Sequence, residues 1–447
     1  MSQLNFEYTT NNLQKIANNV LERALQLGAT SAQIEINENI AGGVDILNGN
    51  IENFETSYGS SLSLQVYNGY NRGAVSVSKI NPQNLDEIII RAIDIAKHTK
   101  PDPFNGIPET SLLCKSMNGD LELFNPKVLS NHDLINNAKE IEHFGTTLNN
   151  KIQTSDGASI SYSQYQFVLA NTNDFNQGYQ MTRYNKSLSL IGDTLDGMQT
   201  DSWYDSSLDF DNLMSNQSLA QTAIERTARR LSKGTIKSGA YSVIFESGIA
   251  KSFIGNFLGA ISGSNLFRHL TFLDNSLDTE VFPQWLNIYE DPFIKKSSRS
   301  CYFDNEGVMV QARELVKNGS VNGYLLNCYS ARKLGLTTTG NAGGNHNITV
   351  TSNFSGDIYE FAKKLTTGLI IIETIGHGLN MVTGDFSVGA SGLWVENGEI
   401  QFFVDNLTMS GNLKDIYRNI RYISNDCSTN SSMQCGSMLV DEVNISS

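Results

Sequence analysis

The feature that most narrows the fold is a recurring Asn-Gly dipeptide set between stretches that alternate polar and apolar residues. Asn-Gly readily takes positive φ at both central positions of a two-residue hairpin turn. Asn48-Gly49 and Asn68-Gly69 punctuate runs such as SLSLQVY and GAVSVS, which predicts successive antiparallel hairpins from Ala32 onward. Asn318-Gly319 and Asn397-Gly398 repeat the signal in a second half rich in glycine and strand-forming residues. Helical spacing precedes the first hairpins: Leu13, Ile16, Ala17, Val20, Leu21, Ala24 and Leu25 fall on one face, and Gly28 stops that helix. A second helix runs through NPQNLDEIIIRAIDIAKHTK, opened by Pro82. Three of the seven prolines, Pro101, Pro103 and Pro108, sit in TKPDPFNGIPET and mark a boundary or exposed connector.

Beyond that connector the periods predict a helix over 131–148, strands from about 150 to 200 and a helix over 216–232 that ends at Gly234. The expected class is α+β. An N-terminal domain of helices and antiparallel β-hairpins covers 1–110, and a central α+β segment packed with it covers 111–235. A C-terminal β-rich domain of sandwich or barrel-like form covers 236–447, and no solenoid period is visible.

Charge removes two function classes. The 447 residues carry a formal charge of -14 with a pI near 4.9, and no run of Lys or Arg interrupts it. Such a field repels phosphate backbones and anionic lipid, so nucleic acid and membrane surfaces are excluded as partners. The opening MSQLNFEYTTNNLQ lacks the basic start and apolar core of an export signal, and no run of about 18 apolar residues occurs. Five scattered cysteines without a CxxC pair suit a reducing compartment. The expectation is a soluble, cytoplasmic protein.

For chemistry, the stretch IIIETIGHGLN holds Glu373 and His377 at the spacing of a zinc-protease helix, with Ile372 where the first histidine would stand. A hydrolytic zinc needs about three protein ligands and an open position for water. On one helix Glu373 and His377 would share a face, and Cys435 or His346 could complete an atypical site. Gly376 and Gly378 weigh against it, since each costs about 1 kcal/mol inside a helix. Of the six histidines no two can chelate from one helix, and His98 and His143 read as helix-end residues near the C-terminal dipole. No GxSxG elbow is present, and Cys435 in SMQCGSMLV reads as a buried, inert thiol in an alternating strand. GAISGSN and GNAGGNHN lack the Walker lysine and the dinucleotide-binding context, and read as tight turns.

FLGAISGSNLFRHLTFLDNSL, YLLNCYSARKLGLTTTGNAGGNHN, TGLIIIETIGHGLNMVTGDFSVGASGLWVENGEI, MSGNLKDIYRNI and MQCGSML, in that order, resemble the TldD/PmbA family and specifically its PmbA (TldE) branch. VDILNGNIENFETSYGSSLSLQVYNGYNRGAVSVS extends the resemblance to the first half, so it covers nearly the whole chain. The resemblance implies a cytosolic metallopeptidase working as a pair, with zinc on an HExxxH helix of the TldD subunit and none on TldE. Laid over this sequence, the three motif positions fall on Gly255, Asn256 and Ala260 in GNFLGA, none of which can hold zinc or act as a base. IIIETIGHGLN is then a chance echo in a different segment. The family's catalytic subunit uses a cysteine near its C-terminus as a ligand, and Cys427 or Cys435 falls near that place. No catalytic residue and no cofactor are therefore expected on this chain, with zinc on a TldD-like HExxxH partner and unfolded or small peptides as substrates. Two rival readings remain: an autonomous metallopeptidase at Glu373 and His377, or a homodimeric, non-enzymatic scaffold.

Overall fold

Amphipathic spacing produces the first element. In the computed structural model, which describes residues 5–194, 197–428 and 430–447, helix α1 (Thr10–Gln26) opens with a capping box between Thr9 and Asn12 and turns Leu13, Ala17, Val20, Leu21 and Ala24 inward. Leu25, expected on the same face, is exposed; it lies about 100° round the helix from Ala24, at the rim of the apolar stripe.

The hairpin signals become one large sheet. Strands β1 (Ser31–Leu47), β2 (Asn50–Asn68) and β3 (Asn71–Val77) are followed by helices α2 (Leu85–His98) and α3 (Asn131–Thr147). Strands β4 (Ile152–Asn171), β5 (Phe175–Thr194) and β6 (Gly197–Ser207) and helix α4 (Asn216–Ala228) come next. The sheet order is β3-β2-β1-β4-β5-β6 with antiparallel neighbours throughout. One sheet thus carries strands from both sides of the proline-rich connector. At its first turn Asn48 and Gly49 both take positive φ, and Glu142 of α3 accepts their two N–H groups at 2.8 and 2.7 Å. The second turn sits one residue later than the sequence suggests. Asn68 pairs with Asn71, and Gly69, at φ 59°, is the first central residue, the arrangement of a type II′ turn.

Apolar residues of alternate register cover one face of this sheet. Ile34, Ile36, Leu62 and Leu64 pack beneath α1 and α2. Val44, Ile46 and Ile160 pack beneath α3, and Leu188 and Leu190 beneath α4.

The last two hundred residues build two further sheets. Strand β7 (Gly239–Phe245) leads into helices α5 (Ser247–Ala260) and α6 (Gly263–Leu266). Short strands β8 (Ile288–Asp291), β9 (Arg313–Lys317) and β10 (Ser320–Val321), helix α7 (Cys328–Leu334) and strand β11 (Asn347–Val350) follow. After helix α8 (Ile358–Ala362) come strands β12 (Thr367–Ile375), β13 (Asp385–Glu396) and β14 (Glu399–Asn412), helix α9 (Leu413–Arg418), and strands β15 (Ile420–Ile423), β16 (Met433–Gln434) and β17 (Met438–Ser446). One sheet runs β10-β9-β8-β11-β16. The other runs β14-β13-β12-β7-β17-β15, and an extra β14–β17 pairing closes five of its strands into a barrel, the barrel-like form expected for this half. Among the described residues no helix is long and apolar enough to cross a membrane.

The proline-rich stretch is a fastened strap rather than an exposed connector. Arg332 of α7 donates to the carbonyls of Phe104, Gly106 and Ile107 at 3.1, 3.0 and 2.8 Å. The Tyr329 hydroxyl donates to Asp102 at 2.7 Å, and the Lys333 ammonium lies 4.3 Å from the Phe104 ring centre.

Candidate functional site

Helix α5 organises the C-terminal half. Its inner face, Ala250, Phe253, Ile254, Phe257 and Leu258, is buried against the barrel. Phe257 meets Phe282 edge-on at 4.9 Å, and the fully buried Tyr417 hydroxyl donates to the Phe253 carbonyl at 2.8 Å. The outer face is nearly bare backbone, with Gly248, Ser252 and Gly255 exposed. A Cβ added at Gly255 would meet no atom within 4 Å. A helix-interior glycine that makes room for no internal neighbour costs about 1 kcal/mol against alanine. The space it leaves faces a cleft.

That cleft, of about 420 Å³, lies between the last turns of α5, the α6 junction and the loop before β11. Its walls are glycine backbone and neutral amides and hydroxyls, among them Gly255, Gly259, Asn327, Gly344 and Asn345, with Leu258 and Leu325 beside them and no charged side chain in the lining. The loop is fixed from below. Glu290, fully buried, accepts from Asn341 Nδ2 and the His346 N–H, both at 2.8 Å, and from Arg313 Nε at 2.9 Å. Arg313 also donates to the Tyr324 carbonyl and to Asn341 Oδ1. Asp304 accepts the N–H groups of Ala342, Glu306 and Val308. Burial, reinforced by the charge of Glu306, nevertheless pushes its carboxyl up to about 7.

The three positions that the resemblance lays under the metal motif differ in their surroundings. Gly255 lines the cleft, Asn256 is half-buried, and Ala260 is fully buried in the core. Glycine and alanine supply no side-chain donor, so these residues do not fit a zinc ion. Cys435 is buried but lies between β16 and β17 rather than within a strand. Burial pushes its thiol up to about 12. The Ser247 hydroxyl donates to the Cys435 carbonyl at 2.8 Å, which holds this segment against the first turn of α5. Lys251, one turn before Gly255, was not singled out by any sequence motif. Burial lowers its pKa, opposed by Cys427, Cys435 and Asp426 beside it.

Glu373 and His377 lie on no helix. Glu373 is in strand β12, where its carboxylate accepts from Arg230 Nη1 at 2.8 Å and from the Ser391 hydroxyl at 2.9 Å. His377 is exposed in the turn beyond that strand. His346 sits in the other sheet region, its Nε2 2.9 Å from the Gly340 carbonyl and its Nδ1 3.3 Å from Cys301 Sγ. Among the described residues no group of three or more His, Cys, Asp or Glu side chains is placed to hold a metal ion.

Glu373 belongs instead to an ion-pair network that joins α4 and β6 to the barrel. Asp201 of β6 accepts from Arg226 Nε at 3.1 Å and Arg230 Nε at 2.7 Å. Glu246, at the start of α5, accepts from Arg226 at 3.0 Å and Arg229 at 2.8 Å. No short motif announces this network, because Arg230 and Glu373 are 143 residues apart.

Two stretches match known domain families: residues 124–231 match the PmbA/TldA metallopeptidase central domain, and 238–447 match the PmbA/TldA metallopeptidase C-terminal domain. Metalloprotease PmbA of Escherichia coli O157:H7 is 34% identical over 435 residues, which cover 97% of this chain and 96% of that protein. A crystal structure of a Bacteroides thetaiotaomicron protein, named as a candidate modulator of DNA gyrase, superposes with a TM-score of 0.92 at 24% identity, covering 98% of this chain and 99% of that one. The crystal structure of TldE from Thermococcus kodakarensis gives a TM-score of 0.82 at 18% identity, covering 97% and 100%. At these two identities the likeness is one of fold.

Proposed function

This chain belongs to the PmbA/TldD metallopeptidase family, and from that premise we propose that it is the non-catalytic, TldE-type subunit of a two-subunit cytoplasmic zinc metallopeptidase. The observation that carries the reading is that the sequence holds no HExxxH, and the positions that the resemblance lays under that motif are Gly255, Asn256 and Ala260. Zinc belongs to a TldD-like HExxxH partner, where the metal and the motif glutamate activate water for peptide hydrolysis. This chain's own cleft takes part of an extended, unfolded or small peptide. Bare backbone along Gly255 and Gly259 lets another main chain approach closely, and neutral amides such as Asn327 and Asn345, which are only half-buried, exchange hydrogen bonds with it without selecting charge. The arginine network grips the first turn of α5 through Glu246 and keeps the cleft in register with the first sheet.

Gly255→Trp tests this cleft. The side chain points into open space, so the variant is expected to fold and to pair with an HExxxH subunit. Casein cleavage by the pair should fall at least about tenfold, equivalent to about 1.4 kcal/mol. Gly255→Ala should instead stabilise the chain by about 1 kcal/mol. The double variant Glu373→Gln/His377→Ala should leave cleavage within about twofold, because a change below about 0.5 kcal/mol is that of a residue outside the site. Cleavage lost with the double variant and kept with Gly255→Trp would favour the autonomous site instead.

A further inference from the structure

The cleft beside α5 keeps two side-chain hydrogen-bonding atoms that the fold itself does not use. Asn327 caps α7: its Oδ1 accepts the Ser330 N–H at 2.8 Å, and the Ser330 hydroxyl accepts the Asn327 N–H at 3.1 Å. The cap settles which end of the amide is oxygen, and leaves Nδ2 without an acceptor among the described residues. Asn345 is turned the other way. Its Nδ2 donates to the His346 carbonyl at 2.7 Å, and its Oδ1 has no donor among the described residues. The neighbouring polar groups of the lining are engaged: Asn341 is bonded through both ends of its amide, and the Ser262 and Ser264 hydroxyls lie 3.3 Å apart.

We propose that these two atoms form a main-chain filter for the substrate. Asn327 Nδ2 donates to a peptide carbonyl, and Asn345 Oδ1 accepts a peptide N–H of the same extended segment. An extended chain offers both kinds of group along its edge, while its side chains point to either face. The filter therefore reads the peptide bond and not the sequence. A segment with proline or an N-methylated residue at the Asn345 position has no N–H to give, and sets a carbon against the amide oxygen instead. The filter rests on the reading of this cleft as part of a peptide path, and names what that path accepts and rejects.

Both amides are held in place before a peptide arrives, which lowers the entropy lost on binding. The capping box fixes Asn327 at the first turn of α7. On either side of Asn345 the backbone is pinned: the Gly344 carbonyl accepts from Asn341 Nδ2 at 3.1 Å, and the His346 N–H bonds Glu290 at 2.8 Å. The surroundings leave room for another chain. A Cβ at Gly255 or at Gly344 would meet no atom within 4 Å. Asn327 and Asn345 are both half-buried, so a ligand can reach them while part of the competing water is kept away.

Internally quenched peptides, cleaved by the pair of this chain with an HExxxH subunit, test the filter. All share one sequence and carry a single N-methyl group, moved along it one residue at a time. With the wild type, kcat/KM should fall at least about tenfold at the position that meets Asn345, where a hydrogen bond is lost and a methyl group intrudes. Asn345→Leu should cleave the unmodified peptide more slowly and lose the dip at that position alone. Asn345→Asp, which keeps the acceptor, should retain the dip. Asn327→Asp keeps the cap on α7 and should leave the melting curve unchanged, but it turns an oxygen towards the substrate carbonyl and should lower kcat/KM at least about tenfold on the unmodified peptide. An N-methyl profile that is the same in wild type and Asn345→Leu would assign every dip to the HExxxH subunit and overturn the filter while leaving the subunit reading intact. A pair that holds zinc and cleaves none of the peptides, or a lone chain that cleaves them, would overturn that reading and the filter with it.

Discussion

Arg313→Met should cost the protein about 3–5 kcal/mol of folding stability, read as a lowered urea midpoint, because it strands a charge. Glu290 is 1% exposed, and its Oε2 accepts from Arg313 Nε at 2.9 Å. Asn341 and the His346 N–H bond only the other oxygen. Removing the guanidinium also takes its two other donors from the Tyr324 carbonyl and Asn341 Oδ1, which are left to share the single Thr339 hydroxyl. The charge is the dominant cost, so Glu290→Gln combined with Arg313→Met should recover most of the loss. Arg313→Lys should recover little, since a single ammonium cannot reach three divergent acceptors. A loss below about 1 kcal/mol for Arg313→Met would refute this account of the loop beneath the cleft.

Glu246→Ala should cost about 3 kcal/mol for a related reason. It removes the acceptor of Arg229 Nη1, and Arg229 has two further buried nitrogens, Nε and Nη2, without a partner among the described residues. Arg226 loses one of its two acceptors but keeps Asp201. The same network fixes a pH dependence. Burial alone would raise the Glu246 carboxyl, but Arg229 and Arg226 together hold it below its ordinary 4.5. Burial is likewise outweighed at Asp201, where Arg226 and Arg230 hold the carboxyl below 3.8. Both carboxyls bind protons more weakly when folded than when unfolded. Their contribution is therefore complete above those ordinary values and is lost as pH falls through the depressed folded ones. Wild type should lose stability more steeply than Glu246→Gln below about pH 4, with parallel profiles above about pH 5. Equal slopes in acid would show that the network carries no such linkage.

Much of the fold was legible because its signals are local. The turns at Asn48-Gly49 and Asn318-Gly319 take positive φ at both residues, and the first helix and the helix over 131–147 follow from the spacing of nearby residues. The errors were also local in origin. Leu25 satisfies a helical period yet sits at its rim, and Asn68-Gly69 is a turn whose centre slips by one residue because Asn68 still pairs with Asn71. Barrel closure, the strap under Arg332 and the arginine network join residues distant in sequence, and no periodicity reports such pairs. The candidate site divides the same way. Gly255, Asn256 and Ala260 are visible as a degenerate motif only through resemblance to a family, whereas their dispersal between cleft and core depends on which face α5 buries. The echo at Glu373 and His377 looked chemical because one-dimensional spacing does not distinguish a helix from a strand that ends in a turn.

The central claim is that this chain completes a metallopeptidase without carrying its metal. Elemental analysis of the purified chain, alone and after co-purification with an HExxxH subunit, tests it most directly, with casein cleavage assayed on the same samples. The account predicts neither zinc nor cleavage in the lone chain, and about one zinc per pair together with cleavage in the complex. Stoichiometric zinc and cleavage in the lone chain would contradict it.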